Sequence, residues 1–68
     1  MNEEALNTSV RKFLKKVGVT SQREIEKAVR DAVASGRLKG SEALPAKARV
    51  TVEGLGLAFD IDGAIELE

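Results

Sequence analysis

Asp60 and Asp62 flank Ile61 just ahead of Gly63, and this DIDG stretch is the nearest the chain comes to a pair of catalytic carboxylates. General acid–base chemistry needs two carboxyl groups whose environments push their pKa values apart. Here both acids read as residues of an exposed turn, without the burial that such a pair requires. The same stretch, with Ile65 after it, matches part of a calcium loop. The first ligand position would then fall on Ala58, and the flanking segments read as strands rather than helices. Histidine and cysteine are both missing. No Ser–His or Cys–His pair can be built, and the commonest ligands of zinc, copper and iron are lacking. Gly54-Leu55-Gly56 is not followed by a helix, so it is no phosphate cradle. The expectation is a protein that is not an enzyme and holds neither a cofactor nor a metal.

The remaining chemistry is charge. Eleven bases balance eleven acids, but unevenly along the chain. Residues 1–10 carry two acids and no base. Residues 11–49 hold all eleven bases against four acids, Glu24, Glu26, Asp31 and Glu42, and residues 50–68 hold five acids and no base. Arg11, Lys12, Lys15 and Lys16 stand opposite an apolar helical stripe. Arg11–Lys15 and Lys12–Lys16 are like charges four apart, each unfavourable by a few tenths of a kcal/mol. Arg23, Lys27 and Arg30 follow, with Glu26–Arg30 and Lys27–Asp31 as opposite-charge pairs at the same spacing. These seven bases are the candidate contacts to an anion or to nucleic acid. A solvated face, or neutralisation by the acidic end of the chain, accounts for them as well. Stacking on single-stranded bases is not expected, because there is no Tyr or Trp and the core claims Phe13 and Phe59.

Those charges must be positioned by helices. Asn2 reads as an N-cap, with Glu3 and Glu4 in the first turn. Leu6, Val10, Phe13, Leu14 and Val17 repeat at helical spacing, and Gly18 reads as a left-handed C-terminal cap. The spacing predicts a first helix over 3–17. Ser21 and Glu24 match a capping box opening a second helix over 22–35, which Gly36 closes. Phe13 to Val29 thereby takes on the outline of a helix-turn-helix. Its phase is wrong: the aliphatic residue due six positions after the turn glycine is Glu24, and Ile25 comes one residue late, a rotation of about 100°. A plain antiparallel helical hairpin is the expectation.

Residues 36–45 read as a connector containing Gly40 and Pro45. From Ala46 the period becomes two, giving a strand over about 46–53, a turn at Gly54 and Gly56, and a strand over about 57–60. A loop of Ile61-Asp62-Gly63, with Gly63 left-handed after a type I turn, leads to a last strand over about 64–67. The sequence therefore predicts an α+β domain of order α-α-β-β-β, a helical hairpin followed by a three-stranded β-meander with the helices on one face of the sheet.

A chain of 68 residues hides only about 60% of the surface its unfolded form exposes, so its core is marginal. With no disulfide or metal to staple it, self-association is the remaining device. No apolar run approaches the roughly 18 residues of a membrane span, and the acidic opening is unlike a secretory signal. The reading is a soluble, cytoplasmic interaction module that pairs with a second copy of itself or with a protein partner. Nucleic acid is the alternative partner, and no membrane is involved. The stretches RKFLKKVGVTSQREIEKAV and TVEGLGLAFDIDGAIELE resemble a family of short bacterial proteins of unknown function, with a likeness running nearly end to end. The resemblance implies a single-domain cytoplasmic bacterial protein and supplies no activity, cofactor or site residue.

Overall fold

A computed structural model describes all residues, 1–68. It opens with one α-helix, α1 (Glu3–Ala34), of 32 residues. The Asn2 side chain caps it as expected, its Oδ1 accepting from the Ala5 N–H at 3.0 Å. The other end also matches the expected stop: Ser35 is the C-cap and Gly36 follows at φ +83°, a conformation that favours glycine.

Between these ends the expected break is absent. Gly18, Val19, Thr20 and Ser21 are all helical, and Gly18 has no positive φ. The two-helix hairpin over 3–17 and 22–35 is thus corrected to a single helix, and no helix-turn-helix exists. The physical reason is phase. A glycine in a helix interior is unfavourable by only about 1 kcal/mol relative to alanine, whereas a turn would disrupt a stripe that is already continuous. Leu6, Val17 and Ala28 lie eleven residues apart, as do Leu14 and Ile25. Eleven residues are three helical turns to within about 20°. Apolar positions on both sides of Gly18 therefore share one face. Ser21 and Glu24 lie inside the helix and cap nothing.

Two strands follow. β1 (Ala43–Val52) and β2 (Leu57–Glu66) have ten residues each and pair antiparallel. They are joined by a short 3-10 turn, Glu53–Leu55, with Gly56 left-handed at φ 59°. The turn at Gly54 and Gly56 was expected. The third strand was not found: the sheet has two strands only, so the β-meander is corrected to a hairpin. Asp60 to Gly63 is strand interior, with Asp60 opposite Arg49, Asp62 opposite Lys47 and Gly63 opposite Ala46. The period of two runs unbroken through Leu57, Phe59, Ile61, Gly63 and Ile65. Ladder hydrogen bonds and matched charges outweigh the local turn signal of Asp-Gly. β1 also starts earlier than expected and includes Pro45, which a two-stranded sheet tolerates because every strand is an edge.

The chain divides into two compact units, Met1–Arg37 with α1 and Leu38–Glu68 with the hairpin. Ala32, 6% exposed, is the only buried residue. No helix is long and apolar enough to cross a membrane.

Candidate interaction surfaces

The hairpin has two unlike faces, and the register defines both. Leu44, Ala46, Ala48, Val50 and Val52 of β1 lie opposite Ile65, Gly63, Ile61, Phe59 and Leu57 of β2. Side chains alternate across a strand, so these ten positions share one face without a single polar side chain. Val52, Leu57, Phe59 and Ile61 are between 39% and 56% exposed. The opposite face holds Lys47, Arg49 and Thr51 across from Asp62, Asp60 and Ala58. Arg49 Nε donates to Asp60 Oδ1 at 2.9 Å. Both partners are solvent-accessible, so this pair contributes no more than about 1 kcal/mol. It does distinguish the polar face from the apolar one. The two aspartates are alternate residues on one strand face, and each stands across from a base.

α1 carries the seven bases predicted as anion contacts, and all are exposed. A single helix arranges them differently from two. At about 100° per residue, Lys12, Lys16, Arg23, Lys27 and Arg30 fall within an arc of roughly 60°. Lys15 lies about 60° outside that arc, and Arg11 about 100° outside it. Glu26 borders the line and is engaged by Gln22 at 3.2 Å and by Arg30 at 3.8 Å. The expected Lys27–Asp31 pair is not closed. A shallow depression of about 320 Å³ lies beside Phe13, Lys16, Val17, Thr20 and Ser21. Two hydroxyls, those of Thr20 and Ser21, and one lysine line it together with apolar side chains.

Sequence reasoning did not identify Glu42. Its carboxylate accepts from the backbone N–H groups of Lys39 at 2.8 Å, Gly40 at 2.9 Å and Ser41 at 3.1 Å. Gly40, at φ +102°, lets three successive amides converge. The Glu42 carbonyl in turn accepts from the Leu67 N–H at 3.0 Å. One residue thus holds the loop entering β1 and the chain leaving β2. The Lys39 amide is the largest cause lowering the Glu42 pKa. Partial desolvation opposes it, and the amides of Gly40, Glu42 and Ser41 add to the lowering. A lowered folded-state pKa stabilises the fold above the ordinary carboxylate value near 4.5, and the effect is lost as pH falls through the lowered folded value. Glu42→Gln is expected to reduce the melting temperature at neutral pH, and its deficit should shrink towards zero as pH drops below that range. A deficit that persists undiminished in acid would show that the carboxylate charge is not what the loop requires.

The signal for this arrangement was a lone acid directly after Lys39-Gly40-Ser41. The exposed apolar hairpin face and the cationic line of α1 are the two features left without a partner inside their own unit. Unit 1 has eight bases against five acids, and unit 2 three bases against six, so their charges are +3 and −3. No curated protein and no solved structure matches the chain. A family model described as a family of unknown function (DUF6494) matches residues 1–68, the whole of the chain, and the protein belongs to that family.

Proposed function

We propose that this protein is a non-enzymatic interaction module that self-associates through the apolar face of its hairpin. The observation that carries the reading is that face itself: five successive cross-strand pairs on one side of the hairpin with no polar side chain, left accessible while the opposite face forms an ion pair. Strands of ten residues are about 34 Å long and each about 4.8 Å wide, so the face, two strands across, spans on the order of 330 Å² in projection. The largest apolar patch of a monomer has about this size and is often functional, and a two-stranded hairpin without a covered face is only marginally stable.

The charges favour a face over an edge. Pairing two copies edge to edge about a two-fold axis would set Lys47 and Arg49 against their own copies at β1, or Asp60 and Asp62 against theirs at β2. Like charges directly opposite are unfavourable. Stacking two apolar faces about 10 Å apart encounters no such conflict, and a two-fold closes the assembly. Sedimentation equilibrium over a wide concentration range tests the reading. The expected mass rises from 7.3 kDa to twice that value as concentration increases. A mass of one chain at every concentration would overturn it.

A further inference from the structure

We infer that the line of cations on α1 is a binding surface for the phosphate backbone of duplex nucleic acid. Lys12 and Arg30 bound a single helical stretch, and at about 1.5 Å per residue the line runs for roughly 27 Å. Within it Lys12–Lys16, Arg23–Lys27 and Lys27–Arg30 are like-charge neighbours at helical spacing, each unfavourable by a few tenths of a kcal/mol. The only relief inside the helix is the contact of Arg30 with Glu26 at 3.8 Å, between side chains 75% and 46% exposed, which contributes little. An external row of negative charge relieves all three repulsions together.

The geometry selects the kind of anion. The line is straight and held by a rigid element, and the phosphates of one duplex strand repeat every 3.4 Å or so along the axis. The one aromatic side chain bordering the line is Phe13, beside Lys16, and a single ring gives a flexible strand no run of stacking platforms. An anionic membrane fits poorly. A helix lying on a bilayer inserts its apolar face and keeps its cations near the headgroups. Here the centre of the cationic arc is about 170° from Leu14, Ile25 and Ala32, so insertion of that side of the helix would turn the cations away from the lipid. For the same reason the line stays accessible when the side of α1 bearing Leu14, Ile25 and Ala32 is covered by a partner.

The experiment is a fluorescence-anisotropy titration of the full chain with a mixed-sequence DNA duplex at 50 and 200 mM salt. If all five cations neutralise phosphates, affinity should fall on the order of 500-fold between these conditions, from a log–log slope of about −0.9 per contact. Neutralising Lys16 and Lys27 together, as K16Q/K27Q, should weaken binding and flatten the slope by about two contacts. Neutralising Arg11 and Lys15, as R11Q/K15Q, should change neither. Glutamine is a good helix former, and unchanged far-UV ellipticity confirms that both variants keep α1. Absence of binding at low salt, or equal losses from the two double variants, overturns the inference. Equal or tighter binding to a single strand, or to vesicles of anionic lipid, overturns the assignment to duplex. Loss of self-association in K16Q/K27Q at unchanged duplex affinity overturns it too, and gives the line to a second copy.

Discussion

Gly18→Ala is expected to stabilise the protein, and Gly18→Pro to destabilise it severely. Gly18 lies in the interior of α1, and a Cβ built there meets nothing within 4 Å. Alanine should therefore add about 1 kcal/mol through helix propensity alone, which for a domain of this size raises the melting temperature by roughly 4–8 °C. Proline would remove one helical hydrogen bond and clash with the preceding turn, at about 3 kcal/mol or more, comparable with the whole stability of many small domains. A chain with two helices meeting at Gly18 would behave otherwise. A left-handed glycine there would make alanine unfavourable by about 1–2 kcal/mol. Thermal melts followed by helical ellipticity separate the two. A lower midpoint for Gly18→Ala would contradict the continuous helix.

That contrast shows where the sequence was legible. Element ends were marked by residues with a local and nearly obligatory role. Asn2 caps, Gly36 takes a positive φ, and Gly54 and Gly56 bracket the hairpin turn; each could be recognised from its neighbours alone. Element interiors were not, because Gly18, Ser21 and Gly63 are residues that permit a break without requiring one. What decides such positions is phase over a longer span. The eleven-residue spacing of Leu6, Val17 and Ala28 continues a helix through Gly18. The odd-numbered run from Leu57 to Ile65 continues a strand through Gly63. Asp60 and Asp62 were read as turn residues for their type, although Arg49 and Lys47 lie at the positions that become their cross-strand partners once the hairpin is folded from its first turn.

The candidate surfaces were legible to the same degree. All seven bases of α1 could be named from the sequence, but their grouping could not, because an imagined turn at Gly18 gives the second half of the helix its own direction. With the turn removed, Arg23, Lys27 and Arg30 join Lys12 and Lys16, and Arg11 and Lys15 fall outside. The apolar hairpin face was seen in pieces. The alternation from Ala46 to Val52 was read correctly, while Leu57 and Phe59 were assigned to one strand and Ile65 to another. Only a single β2 makes them one surface.

Phe59→Asp should abolish self-association while leaving the hairpin's polar face intact. Phe59 is the largest side chain on the apolar face, 42% exposed and opposite Val50. Aromatic side chains near the middle of such a patch dominate association energies, with truncation costing 2 kcal/mol or more. An aspartate adds the cost of taking a carboxylate out of water. Loss of about 2 kcal/mol corresponds to a dimer constant about thirtyfold weaker, and the desolvation of the charge increases it further. Ala58→Lys is the matched control. Ala58 sits beside Phe59 but on the opposite face, two residues from Asp60, so the added cation stays in water and should leave association unchanged. Sedimentation equilibrium reads the association, and thermal melts at several concentrations guard against simple unfolding. For the wild type the midpoint should rise with concentration, as for any fold stabilised by its own partner, and for Phe59→Asp that dependence should vanish. If Phe59→Asp instead lowers the midpoint by the same amount at every concentration, the apolar face is covered within one chain, and self-association through it is refuted.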